Sequence, residues 1–187
     1  MDAAFNELHA NGYAATGVAS IAAAAQAPKG SFYNHFPSKE ALAVEVLSRY
    51  GQSRRLDMLG DSAASPLQRI RNHLDYLSQD LAVHDYRRGC MLGNFAAEGP
   101  VDASAVTDAV AAALELWRQT LAEAIRRAQD AGEVGKHFDP DAAAQFIVDA
   151  WEGAALRAKT AGDRTPIENA IDMIFRQILT PQQKVQS

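Results

Sequence analysis

At Ser65-Pro66, Asp139-Pro140 and Thr165-Pro166 of this 187-residue chain a side chain with a capping oxygen stands directly before a proline, ahead of a run of helical periodicity. Such an oxygen accepts from an orphan N–H of a helix's first turn. Proline at the first helical position has no N–H to leave unpaired, and its φ already suits a helix. Each pair therefore predicts a helix start, and Thr165 with Glu168 predicts a capping box. Elsewhere apolar residues recur every three or four positions, alanine is abundant, and β-branched alternation is absent. Gly132 and Gly162 fall where helices should stop, and Pro181 blocks continuation of the last one. The chain is expected to be all-α.

The pattern gives about nine helices. The first runs from Met1 to about Asn11, the second from about Thr16 to Ala25, and the third from Pro28 to Phe36. A fourth follows the cap Ser38 and continues to about Leu59, and the small polar loop Gly60 to Ser65 is a candidate seam. Beyond it, Leu67, Ile70, Leu74, Leu77 and Leu81 form one apolar stripe, followed by a short helix at about 88–98. A long helix at about 102–131 carries Val106, Val110, Leu114, Trp117, Leu121 and Ile125. The last two, at about 140–161 and 166–179, carry Phe146, Ile147, Ala150 and Ala154, then Ile167, Ile171, Ile174 and Ile178.

The stretch Lys29-Gly-Ser-Phe-Tyr-Asn-His-Phe-Pro-Ser-Lys-Glu-Ala-Leu42 bears most directly on function. As a helix it sets Phe32 and Phe36 on one face and Lys29, Ser31, Tyr33, Asn34 and His35 on the other. A helix-turn-helix needs a short support helix, a tight turn and a second helix fitted to the major groove. Thr16 can cap the support helix, Val18, Ile21 and Ala22 supply its inner face, and Gln26-Ala27-Pro28 is the turn. Gly30 lets backbone approach DNA. Ser31 and Asn34 suit base edges, whereas Lys29, Tyr33, His35, Lys39 and Thr16 suit phosphates. The helix N-terminus at Ser38 offers one more phosphate position.

Charge alone would not suggest this partner, because the net charge is −5. Its distribution is more favourable: from Lys29 to Arg55, five cations (Lys29, Lys39, Arg49, Arg54, Arg55) face only Glu40 and Glu45. A composition of 48% hydrophobic and 22% charged residues argues against disorder and against a membrane partner. No apolar run approaches the roughly 18 residues of a spanning helix, and no signal peptide is evident. A single cysteine makes no internal disulfide and fits a cytoplasmic location.

Residues 2–46 resemble the N-terminal domain of the tetracycline-repressor (TetR) family of transcription regulators. The resemblance rests on Gly12-Tyr13, Thr16, Ile21-Ala22, Lys-Gly-Ser-Phe-Tyr-Asn-His-Phe from Lys29, and Ser-Lys-Glu-Ala-Leu from Ser38. It implies a three-helix DNA-binding domain at 1–46 and a helical effector-binding and dimerisation domain at 47–187. It further implies phosphate contacts at Lys29, Tyr33, His35 and Lys39, and base contacts at Ser31 and Asn34. The partners implied are double-stranded palindromic operator DNA, a small-molecule effector, and a second copy through the last two helices; no cofactor is implied. Two departures stand out. Gln26 occupies the turn position where the family usually has glycine. The family also usually has a turn or two of sequence before the residue matching Asp2, so the natural product is expected to be longer.

The C-terminal half is less explicit. Gly153, Ala154, Ala155 and Ala158 allow close helix approach, and the isoleucine stripe fits either a dimer interface or the protomer's own core. Residues 88–98 and 151–159 resemble a TetR subgroup that includes sensors of reactive small molecules. Cys90, beside Arg87 and Arg88, is either such a sensor or a buried thiol packed as a small hydrophobe. Tyr76, Cys90, Asn94, Phe95, Trp117 and Trp151 are the effector-pocket candidates, although residues of these types more often belong to a helical core.

An enzyme or a passive helical interaction module are the alternatives. The five histidines are dispersed, and no Glu-x-x-His, His-Glu-x-x-His, Gly-x-Ser-x-Gly or phosphate-loop pattern occurs. Neither catalytic residues nor a metal site is assigned. The expectation is a homodimeric, ligand-responsive repressor.

Overall fold

The computed structural model describes residues 1–99 and 103–180. Among them every regular element is helical, as the capping and periodicity require. The chain divides into two compact units, one made of Met1–Ser53 with Cys90–Ala113, the other of Arg54–Gly89 with the chain from Leu114 onward.

The first unit contains α1 (Asp2–Ala15), α2 (Val18–Ala24), a 3₁₀ segment (Lys29–Asn34), α3 (Lys39–Ser53), α5 (Met91–Glu98) and the start of α6 (Ser104–Asp130). Its core is Leu8, Ile21, Phe32, Leu42, Val46, Leu47, Tyr50, Met91 and Phe95. Helix α1 passes the expected stop at Gly12, but the backbone breaks there, at φ 82° and ψ 176°. The fourth predicted helix is also interrupted. After α3 ends at Ser53, Arg55 adopts φ 52° and a separate 3₁₀ turn covers Leu56–Gly60.

The second unit holds α4 (Pro66–Ala82), most of α6, α7 (Pro140–Ala161), α8 (Thr165–Met173) and a closing π-turn (Ile174–Ile178). Two of the three proline-marked starts form as expected. Ser65 Oγ accepts from Gln68 N–H, and the Asp139 carboxylate accepts from the N–H groups of Asp141 and Ala142. The third differs. Helix α8 begins at Thr165 itself, Asp163 accepts from the Thr165 N–H, and Glu168 pairs with Arg164 at 2.8 Å instead of closing a capping box.

Most of the isoleucine stripe belongs to the protomer's own core, and Ile178 is half-buried. Ile167, Ile171 and Ile174 are buried, as are Ala154, Ala155 and Ala158 of the helix packed against α8. The large apolar groups that remain exposed on these helices are Phe146, Leu156 and Met173.

Candidate nucleic-acid interface

The turn before the reading segment is a Schellman motif. Gln26 N–H donates to Ala23 C=O and Ala27 N–H to Ala22 C=O, each at 3.0 Å. This closure needs a left-handed residue after the cap, and Gln26 supplies it with φ 52°. Pro28 then directs the chain into Lys29–Asn34, which winds as a 3₁₀ rather than the expected α-helix. Ser31 N–H and Ser31 Oγ both donate to the Pro28 carbonyl, at 2.9 and 2.7 Å, which tightens the first turn.

The division of faces survives the tighter winding. Phe32 is buried, with its ring 5.7 Å from Phe36 and edge-on to Tyr33. Lys29, Gly30, Tyr33, Asn34 and His35 are exposed, and Ser31 is half-buried. A Cβ added at Gly30 would meet nothing within 4 Å, so the protomer's own packing does not require glycine there.

Thr16 and Lys39 behave differently from expectation. Thr16 is only 1% exposed. Its hydroxyl donates inward to the carbonyls of Gly12 and Glu7, and α2 begins after Gly17 with no side-chain cap. The Lys39 ammonium donates to the carbonyls of Tyr13 and Thr16 at 3.0 and 3.1 Å and lies 4.1 Å from the Tyr13 ring centroid. Two of its three donors are therefore engaged by backbone. At the N-terminus of α3, Ser38 Oγ accepts from the Ala41 N–H.

Sequence reading gave no hint of Glu98, which completes this corner. Its carboxylate accepts from the N–H groups of Tyr13 and Ala14, the donors left without helical partners by the break at Gly12. A Cβ at residue 12 would lie 1.9 Å from Glu98 Oε1. Gly12 is thus required twice, by its φ and by the approach of Glu98. The Tyr13 ring also meets Phe95 of the same helix edge-on at 6.0 Å. A second carboxylate, Glu40 of α3, accepts from Ala105 N–H in the first turn of α6. The corner between α1 and α2 is therefore held at its N–H groups by Glu98 and at its carbonyls by Lys39.

The basic excess counted along the sequence is largely neutralised. Arg49 pairs with Asp2, Arg54 with Asp80 and Arg55 with Asp57. Among the described residues no ion pair involves Lys29 or His35, so the reading segment keeps its polarity for an external partner.

The six effector candidates divide between the two units. Cys90, Asn94 and Phe95 belong to the first unit, and Tyr76, Trp117 and Trp151 to the second. Cys90 is buried against the Tyr50 hydroxyl at 3.5 Å. Trp117 and Trp151 meet edge-to-face at 6.3 Å. The ring of His73, which sequence reading passed over as one of several dispersed histidines, lies edge-on to Trp117 at 5.9 Å.

A support helix, a Schellman turn and a braced segment with a polar outer face define a helix-turn-helix DNA-binding protein. Comparison with known proteins agrees along the chain. The family model "Bacterial regulatory proteins, tetR family" matches residues 1–46, and "Tetracyclin repressor-like, C-terminal domain" matches residues 66–174. The transcriptional regulator AcuR of Cereibacter sphaeroides is 34% identical over 97% of this chain and 84% of its own length. The transcriptional repressor DhaR of a Mycobacterium species is 32% identical over 90% and 84%. A crystal structure of a TetR regulatory protein from Rhodobacter sphaeroides superposes with a TM-score of 0.86 at 34% identity, covering 94% of each chain. The chain belongs to the TetR family. It is a DNA-binding transcriptional regulator rather than an enzyme. No helix among the described residues is long and apolar enough to cross a membrane.

Proposed function

We propose that this regulator is a homodimeric, cytoplasmic repressor, released from a palindromic operator by a small-molecule effector. Residues 1–46 are its DNA-binding domain and residues 47–187 its effector-binding and dimerisation domain. The observation that carries the DNA-binding surface is the open outer face of Lys29–His35 above a buried Phe32. Lys29, Tyr33 and His35 meet phosphates, Ser31 and Asn34 meet base edges, and Gly30 admits the DNA closely. Thr16 and Lys39 act from behind, by fixing the corner that aims the segment.

Dimerisation uses the outer face of the last two helices. Phe146, Gly153 and Leu156 are exposed along one side of α7, and Met173 is exposed on α8. Effector binding shifts α3 and spreads the two reading heads, so the half-site spacing no longer fits. Helix α5 lies within the second family match yet grips the α1–α2 corner through Glu98, which supports such coupling. By linkage, the effector must favour the spread state with a differential affinity.

A mobility-shift assay on DNA flanking the gene tests the reading. Specific binding should weaken steeply with salt, as counterion release requires. Sedimentation of a Leu156→Asp variant should show monomers and weaker operator binding. A wild-type chain that binds no flanking sequence above random DNA would overturn the proposal.

A further inference from the structure

Within the second unit, three helices each contribute one aromatic ring to a single cluster: His73 from α4, Trp117 from α6 and Trp151 from α7. Their relative exposures are 0%, 4% and 2%. The indole nitrogen of Trp117 reaches no protein hydrogen-bond partner and His73 has none beyond a weak contact to the Arg55 backbone, though all three ring nitrogens are shut away from solvent. Buried polar atoms are nearly always paired, and a core that needed only to be packed would have used phenylalanine or leucine here. A free indole donor beside a histidine with a nitrogen to spare is a set of hydrogen-bonding groups awaiting an external partner.

We propose that His73 and Trp117 form the hydrogen-bonding end of the effector site, and that they take a small, uncharged, oxygen-bearing molecule such as an alcohol or an amide. This rests on the reading of the C-terminal domain as the effector-binding domain. The indole N–H can only donate, so the ligand must present an acceptor oxygen. A neutral imidazole donates from one nitrogen and accepts at the other, so it serves a carbonyl or a hydroxyl equally well.

The charge of the ligand follows from the surroundings. Burial first, and then the Arg54 guanidinium, push His73 down to about 4, so at neutral pH it carries no charge. Arg54 is itself engaged by Asp80 at 2.6 Å. A carboxylate entering beside these rings would therefore meet no free counter-charge and would lose its hydration without compensation. A neutral oxygen loses far less and gains the waiting donors.

The cluster is closed over in this conformation, which bears on control as well as on recognition. These nitrogens complete their hydrogen bonding only when the bundle admits the ligand. The binding energy is thus realised in the liganded conformation alone, and such differential affinity shifts a population.

The chain's two tryptophans are both in this cluster, so intrinsic fluorescence reports on it directly. The full-length protein is titrated with 1-butanol and butanamide, and with butyrate as the size-matched anion. The neutral probes should shift the emission saturably, and butyrate should bind at least tenfold more weakly. His73→Phe should remain folded, with an unchanged or higher melting temperature, and should lose the saturable response. Trp117→Phe, with Trp151 as the remaining reporter, should lose it too and covers the case in which His73→Phe does not fold. Butyrate binding as well as the neutral probes would overturn the ligand class. The absence of saturation by any probe, or variants that respond like the wild type, would overturn the site. Operator mobility shift on the same preparation separates the two levels. Retained operator binding without a probe response sinks only this inference, whereas failure to bind DNA strikes the regulator reading itself.

Discussion

The reading head and the ring cluster of the bundle use aromatic residues in opposite ways. In the head, buried Phe32 and half-buried Phe36 form a footing so that Lys29, Asn34 and His35 can stand in solvent. In the bundle, Trp117 and Trp151 lie buried with His73, and the Trp117 indole N–H has no protein partner. On the proposed reading the first arrangement is complete before its ligand arrives, and the second is incomplete until it does. This contrast suits a switch. A DNA contact gains affinity from preorganisation, whereas an effector site must leave some of its interactions unmade in the state that represses.

The sharpest way to break the head is at its corner. Gly12→Ala introduces a Cβ into the Glu98 carboxylate and forces alanine into a glycine-only backbone region. The expected loss of stability is about 2–4 kcal/mol. For a chain of this size that lowers the melting temperature by roughly 10 °C, readable by calorimetry or circular dichroism. Combining it with Glu98→Ala relieves the steric part, so the double variant should lose less than the sum of the singles. Additive losses would show that Glu98 is not what the glycine accommodates.

The bundle should instead reveal itself through pH. The unfolded imidazole of His73 titrates near the ordinary value of 6.5, whereas the folded one is pushed down to about 4. Below the unfolded value the unfolded state binds the extra proton, so stability is complete above about 6.5 and falls as pH drops toward 4. The loss approaches about 3 kcal/mol at the lower end of that window. The carboxylates held low by arginine, Asp141 by Arg118 and Asp57 by Arg55, lose their contribution only at still lower pH. Urea unfolding between pH 4 and 7 should show the slope in the wild type and a flatter profile in His73→Phe. An equal slope in both would remove His73 from this account.

How legible each region was follows from how local its determinants are. The turn, the buried Phe32 and the exposed polar face lie within about a dozen consecutive residues and obey rules of adjacent geometry. The proline-marked starts of α4 and α7 are local in the same sense. Glu98 reaches across 84 residues to Ala14, and no spacing rule joins them. The inward roles of Thr16 and Lys39 depend on that same non-local corner. The isoleucine stripe of α8 showed that one face is apolar, but periodicity carries no information about whether its own protomer or a second copy covers it. His73 was one histidine among five until the fold brought it against Trp117.

A change at Gly30 separates recognition from folding within the head. A side chain added there meets nothing of the protomer, so Gly30→Leu should leave the melting temperature unchanged or slightly raised. Operator affinity should fall by tenfold or more, which corresponds to about 1.4 kcal/mol. Titrating labelled operator at fixed salt measures the fall. Undiminished affinity would mean that the DNA does not approach the backbone at this point.

The smallest effect concerns the turn, and it tests whether the head is as well made as it can be. Gln26 holds φ 52° to close the Schellman motif, a conformation that costs an L-residue roughly 1–2 kcal/mol. Glycine adopts it without that strain but gives up more chain entropy on folding, about 0.5–1 kcal/mol. The difference predicts that Gln26→Gly stabilises the protein by about 0.5–1 kcal/mol, a rise of a few degrees in melting temperature. Gln26 is exposed and its side chain enters none of the proposed DNA contacts, so operator affinity should move by less than twofold. A destabilised Gln26→Gly would mean that the side chain makes a compensating interaction in the turn. Higher stability with lower affinity would mean that the strain helps to aim the segment that Phe32 anchors.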